Sequence, residues 1–315
     1  MSDRVGVPQR GVALWLRGRV LAADRAAVMA VVNRTPDSFH VHHDDDAAAQ
    51  EAVARAVAEG ADLVDIGGVR AGRGPVVDAA AEIDRVLPLV RWVRAGYPEL
   101  PISVDTWRAE VAEAVLSAGV DLVNDTWAGH DPELVAVAAA HGAGIVCSHT
   151  GGLPPRTDPL RTQFRRGTPS ARGGPGPDAG DALDGVLGDV VATVTAAARR
   201  AVAAGVDPRS VLVDPTHDFG KTTWHSLHLT RRTPALVALG FPVLMALSRK
   251  DFVGESLDVP VDERLEGTLA ATAVAAWLGA TVFRAHDVLA TRRVVEMVAV
   301  LRDDSPPTRA VRGLA

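Results

Sequence analysis

Cysteine, lysine, a basic excess and long apolar runs are what this 315-residue chain lacks, and each shortage excludes something. The single cysteine, Cys147, rules out an internal disulfide and with it a small stapled secreted fold. No run approaches the roughly 18 apolar residues of a membrane span. The apolar stretch at 11–16 stops at Arg17, too short for the core of a signal peptide. A cytoplasmic protein with no membrane partner is the expectation. The net charge of −6 argues against nucleic acid as a partner, which calls for a basic surplus. Among 33 basic residues only Lys221 and Lys250 are lysine. Where arginine serves elsewhere, these two are candidates for a role that needs a compact ammonium.

What is present is rhythm. Hydrophobic residues make up 47% of the chain, ample for a large core. Short β-branched runs at 27–32, 62–66, 102–104, 120–123, 144–147, 211–213, 243–247 and 281–283 read as strands buried on both faces. Alanine-rich stretches at 46–59, 77–94, 108–117, 132–141, 185–204, 224–238, 262–278 and 286–301 read as the helices between them. Eight strand–helix units in one chain predict a single α/β (β/α)8 TIM barrel over 26–302 rather than a doubly wound open sheet. Residues 1–25 form an N-terminal extension that covers the barrel bottom or makes a small hairpin. Residues 303–315 form a polar tail, and 150–184 a long Gly/Pro-rich connection.

Catalysis in such barrels sits at the C-terminal ends of the strands. Each predicted strand is followed there by a polar side chain: Asn33, Asp65, Asp105, Asn124, Ser148–His149, Asp214, Ser248–Lys250 and Arg284–Asp287. One such residue alone is usually a helix cap; eight on one rim indicate a site. Asp105, Asn124 and Asp214 offer acceptors and Lys250 a donor, a set that suits the edges of a flat nitrogen heterocycle. Arg284 and His286 lie two apart, so they point the same way. With Asn33 as a hard oxygen ligand they suit a diphosphate and its Mg²⁺. The GKTT at 220–223 is no phosphate-binding P-loop, because the position where its first glycine belongs is Pro215.

The segments MAVVNRTPDSF (29–39), EGADLVDIGG (59–68), ISVDTWRAEVAEAVLSAG (102–119), LVNDTW (122–127), DP with DFGKT (214–222), LSRKDF (247–252), ERLEGTLAATA (263–273) and FRAHDV (283–288) resemble the dihydropteroate synthases. The resemblance spans nearly the whole chain. It implies a homodimeric barrel of folate biosynthesis, a transferase that joins p-aminobenzoate to 7,8-dihydropterin-6-ylmethyl diphosphate and releases diphosphate. It implies that Asp105, Asn124, Asp214 and Lys250 hold the pterin, with Asp65 supporting that floor. It implies that Asn33 binds Mg²⁺, and that Arg284 and His286 bind the diphosphate. Phe219, Lys221 and Ser248 would border the aminobenzoate. Lys250, Arg284 and His286 would carry catalysis, through stabilisation of the departing diphosphate.

Three loops depart from the family pattern. TPDSFSDGG becomes TPDSFHVHHDDD, GGESTRPG becomes GGVRAGRG (67–74), and DPGIGFGKT becomes DPTHDFGKT, with Thr216, His217 and Asp218 in place of a plain turn. The pterin floor and diphosphate end are kept while the second-substrate side is rewritten, as in a divergent second copy such as actinobacteria carry. Weak or lost synthase activity, a different amine acceptor, or a pterin binder without turnover follow as readings. The kept SRK and RAHDV motifs speak against a corrinoid-dependent methyltransferase. His40, His42, His43 and Asp44–Asp46 read as a solvated acidic loop with a helix cap, a divalent-metal site or a cap over the diphosphate being the other readings. Arg70 and Arg73 read as solvated, Cys147 as an inert core thiol, and Trp107 and Trp127 as core or pocket border.

Overall fold

The computed structural model describes residues 6–34, 46–157 and 179–312. Its strands are β1 (Trp15–Leu16), β2 (Arg19–Val20), β3 (Ala27–Asn33), β4 (Leu63–Gly67), β5 (Ile102–Asp105), β6 (Leu122–Asp125), β7 (Gly144–Cys147), β8 (Val211–Val213), β9 (Leu244–Met245) and β10 (Val282–Ala285). Its helices are α1 (Asp46–Ala58), α2 (Ala79–Gly96), α3 (Ala109–Ser117), α4 (Leu134–Ala140), α5 (Ala179–Ala204), α6 (Thr223–Arg231), α7 (Thr233–Val237), α8 (Asp251–Leu257), α9 (Leu265–Trp277) and α10 (Val288–Leu301). Eight strands pair in parallel in the order β8-β7-β6-β5-β4-β3-β10-β9. The ends of that sheet meet where Val213 bridges Val243 and its N–H donates to the Pro242 carbonyl at 2.9 Å. The fold is the TIM barrel the alternation predicts.

Period-two alternation sorts each strand between two cores. Outward residues such as Val28, Val64, Val104, Val123 and Val213 pack under the helices in the larger core. Inward residues Met29, Leu63, Leu122, Val146, Leu212, Leu244 and Val282 fill the barrel interior. Two positions further along the same inward rows stand Asp65 after Leu63, Asn124 after Leu122, Asp214 after Leu212 and Arg284 after Val282. The interior is therefore apolar at the foot and polar at the mouth. Register completes the layer: Asn33 pairs with Gly67, Gly67 with Asp105, and Asp105 with Asn124.

The chain before β3 closes the foot. β1 and β2 form an antiparallel hairpin. Leu14, Leu16 and Leu21 enter the interior core, and the Ser210 hydroxyl donates to the Trp15 carbonyl at 2.6 Å. Residues 306–312 are exposed.

Two local features differ from the periodicity. The 224–238 stretch is two helices, α6 and α7, because Pro234 has no N–H to continue the first ladder. Helix α8 is not expected from the sequence, because it is short and carries Gly254, a poor helix former, at its centre. It follows a strand of two residues rather than the predicted five, and Arg249 between them turns the chain with φ 53. Arg249 is held there by a bidentate pair with Asp287, both contacts at 2.9 Å.

Candidate functional site at the barrel mouth

Asp65 is the hub of the floor. Fully buried, it accepts from Ser103 Oγ at 2.6 Å, from Asn124 Nδ2 at 3.1 Å and from Arg284 Nε at 2.6 Å. Arg284 reaches on to Asp105 at 3.1 Å, so one guanidinium ties β4, β5 and β10 together. The Thr126 hydroxyl donates to the other Asp105 oxygen. Burial pushes Asp105 up to about 7, against the pull of Arg284. Burial acts against the Arg284 charge, but Asp65 and Asp105 raise its pKa above the usual arginine value. Asp214 is also raised by burial; it accepts from the Thr216 N–H at 2.7 Å and feels Lys250, Lys221 and Arg284. Asp65, Asp105, Asn124, Asp214 and Arg284 thus converge on one mouth, although 219 positions separate Asp65 from Arg284.

Both lysines stand on the facing side. Lys250 Nζ donates to the His217 carbonyl at 2.8 Å and lies 4.4 Å from the centre of the Phe219 ring. Burial lowers its pKa, opposed by Asp218 and Asp214. Lys221 is 3% exposed, and its ammonium donates to the carbonyls of His149 (2.8 Å), Thr216 (2.9 Å) and Phe219 (2.9 Å). Burial lowers it to about 7. All three of its donors are consumed, so it acts on the mouth by pinning the loop that carries Phe219. Phe219 continues a file of edge-on aromatic rings, 5.4 Å from Trp127, which is 6.4 Å from Trp107. Both tryptophans are buried, and they make this aromatic wall.

At the β9–β10 side, Ser248 Oγ accepts from the His286 backbone N–H at 3.2 Å and lies 3.0 Å from His286 Nδ1. Arg284 and His286, on one inward row, stand half-buried at the same edge. Asn33 ends β3, and its Oδ1 lies 3.4 Å from where a side chain at Gly67 would begin. Among the described residues no three His, Cys, Asp or Glu side chains gather as a metal site. A single hard oxygen from Asn33 suits a Mg²⁺ ion whose other ligands are phosphate oxygens and water, and does not suit a resident ion.

The β8–α6 loop explains a pattern in the sequence. Thr216, Asp218 and Gly220 have φ of 53°, 67° and 61°. The family pattern DPGIGFGKT has glycine at all three positions, the residue that adopts this region without strain. Here two are replaced, and each replacement has gained side-chain bonds. Thr216 Oγ1 accepts from the His149 N–H and donates to the Asp214 carbonyl, both at 3.0 Å. Asp218 Oδ2 accepts from the Asp251 N–H at 2.6 Å and the Phe252 N–H at 3.4 Å. Its Oδ1 accepts from Ser226 Oγ at 3.0 Å. Ser103, Thr126 and Ser226 are not singled out by the sequence; small hydroxyls carry no pattern until their partners are in place.

Residues 35–45 and 158–178 lie outside the described residues, so the histidines of the first loop and most of the long connection have no structural account. Asp46 opens α1 and pairs with Arg34 at 2.6 Å. Arg70 and Arg73 are exposed, and the Gly72 and Pro75 carbonyls of their loop accept from Arg156. Cys147 is buried, and burial pushes its thiol up to about 12. None of the described helices is long and apolar enough to cross a membrane.

The barrel mouth thus gathers buried acceptors, two lysines and a bridging arginine, a set suited to the edges of a polar heterocycle. Comparison with known proteins makes this specific. The pterin binding enzyme family matches residues 29–286. The chain is 57% identical over 302 residues to the inactive dihydropteroate synthase 2 of Mycobacterium leprae, covering 95% of this chain and 99% of that protein. The solved structure of Mycobacterium tuberculosis Rv1207 matches with 47% identity and a TM-score of 0.69, covering 93% of this chain and 99% of that one. A dihydropteroate synthase of Coxiella burnetii in complex with pteroic acid matches with 28% identity and a TM-score of 0.79, covering 93% and 100%. The chain belongs to the pterin binding enzyme family, within its dihydropteroate synthase type.

Proposed function

We propose that this protein binds 7,8-dihydropterin-6-ylmethyl diphosphate at the barrel mouth and couples it to p-aminobenzoate weakly or not at all. The Asp65–Asn124–Arg284–Asp105 network carries the reading. It is a set of buried groups at the mouth that can meet the donor and acceptor edges of a pterin. Asp105, Asn124 and Asp214 face the ring edges, and Lys250 supplies a donor beside them. Arg284 and His286 take the diphosphate. Charge developing on that leaving group is stabilised by a preorganised guanidinium, which needs no reorganisation as the C–O bond opens. Mg²⁺, held by Asn33 and the phosphate oxygens, would neutralise part of the same charge. Phe219 and Ser248 border the amine side, with Lys221 fixing the loop between them.

The rewritten loops and the inactive label of the M. leprae relative favour weak or lost coupling over ordinary turnover. The proposal includes a homodimer, supported by Met297 and Leu301, exposed one turn apart on α10, and Val274, exposed on α9. Sedimentation analysis reads the assembly directly. It also includes a cytoplasmic setting, supported by the lone buried thiol. Calorimetry with the pterin diphosphate, followed by assay of diphosphate release with p-aminobenzoate, tests the function. Saturable pterin binding with little or no release is the expected result. Absence of pterin binding, or release at the rate of an ordinary synthase, overturns it.

A further inference from the structure

Asp218 is the least ordinary residue of the mouth. It holds a left-handed φ of 67° without being glycine, a conformation that persists only where the surroundings enforce it. Both of its oxygens accept hydrogen bonds, from Ser226 Oγ on one side and from the Asp251 and Phe252 N–H groups on the other. It is flanked by the two residues Lys250 touches, His217 through its carbonyl and Phe219 through its ring. Of the groups that support the Lys250 charge, Asp218 is the strongest, ahead of Asp214. The next carboxylate along the rim, Asp251, is paired with Arg264 at 2.8 Å.

These contacts have two electrostatic consequences on the aromatic side of the mouth. The backbone donors of Asp251 and Phe252 are already occupied by an internal carboxylate. Of the two lysines beside Phe219, Lys250 is already compensated by Asp218 and Asp214, and Lys221 gives its donors to three carbonyls. A ligand carboxylate entering beside Phe219 would meet the Asp218 carboxylate and, among these described residues, donors already taken, and exclusion by like charge is a strong source of selectivity. An uncharged group of the same shape meets no such opposition.

We propose that Asp218 sets the acceptor class of this barrel: it makes the side of the mouth lined by Phe219 and Ser248 a site for uncharged arylamines and excludes those that carry a carboxylate. This rests on the reading of that side as the amine pocket. It also supplies a residue-level reason for weak coupling to aminobenzoate.

The test is calorimetry on the full chain saturated with 6-hydroxymethyl-7,8-dihydropterin and diphosphate, an unreactive pair. 4-Aminobenzoate and 4-aminobenzamide, alike in shape and different in charge, are then titrated. The wild-type protein is expected to bind the amide at least tenfold more tightly than the acid. In Asp218→Asn, which keeps the side-chain shape, and Asp218→Gly, which restores the unstrained residue, the acid is expected to come within threefold of the amide. Equal affinities in the wild type, tighter binding of the acid, binding of neither, or a tenfold preference that survives in both variants each overturn the proposal. The wild-type arm stands alone should a variant fail to fold. Failure of the pterin itself to bind overturns the underlying functional reading instead, and the two failures are distinguishable.

Discussion

On one side of the mouth a buried carboxylate, Asp65, is satisfied by Ser103, Asn124 and Arg284, all on barrel strands or at their ends. On the other side a carboxylate, Asp218, is satisfied by Ser226, Asp251 and Phe252, all on helices beyond the strands. The first network uses residues the dihydropteroate synthase pattern keeps; the second grows from a loop where that pattern is broken. Strand positions are fixed by a ladder that one substitution cannot shift. Loop positions can exchange a glycine for a side chain if the new group finds partners. The departures from that pattern accordingly fall in loops, where the scaffold tolerates them, while the floor keeps it.

Substitutions in the two networks should separate them. The largest effect is expected for Asp65→Ala, which leaves the Arg284 charge and the Asn124 amide short of a buried partner. A loss of about 3–5 kcal/mol in chemical denaturation follows from breaking a buried pair. A loss below about 1 kcal/mol would mean that the floor is not the rigid side. Lys250→Ala removes the donor to His217 and the cation over Phe219. Pterin affinity is expected to fall by about 1–3 kcal/mol in calorimetry, and unchanged affinity would take Lys250 out of the pterin pocket.

The pH dependence of stability sharpens the contrast further. Asp105 is raised from 3.8 to about 7, so the folded protein retains a proton that the unfolded chain releases near pH 4. Its contribution is complete below pH 4 and is lost as the pH rises to about 7. Lys221 is lowered from 10.5 to about 7, so the unfolded chain binds the extra proton between those values. Its contribution is complete above pH 10.5 and is lost as the pH falls to about 7. Denaturation across pH should therefore show Asp105→Asn flattening the acidic limb and Lys221→Met the alkaline limb. Interchanged effects would contradict both assignments.

The smallest effect is expected for Thr216→Gly. Relief of a left-handed conformation, about 1–2 kcal/mol, offsets two lost hydrogen bonds of about 1 kcal/mol each. A change in stability above about 2 kcal/mol in either direction would show that the loop is not balanced in this way.

Much of this was legible in the chain. The run at 211–213 followed by Asp214, and the run at 102–104 followed by Asp105, encode a strand and its mouth residue together, because side chains alternate with period two. The scarcity of lysine pointed at Lys221 and Lys250, and the fold brings both to the loops at the barrel mouth. Their division of labour was not legible. Lys221 faces three carbonyls that the loop itself folds around it, while Lys250 reaches across to a different loop. Nor could α8 be read, since its central Gly254 weakens the helical pattern of a short segment.

Taken alone, the order of residues determined the barrel, its inward and outward rows, the ring of polar strand ends and the family. Those properties repeat every two or 3.6 residues and need no partner to be recognised. Only the folded chain decided which of those polar groups meet. Contacts such as Asp218 with Asp251, or Asp65 with Arg284, join positions far apart along the chain, and no periodicity records how closely two loops approach.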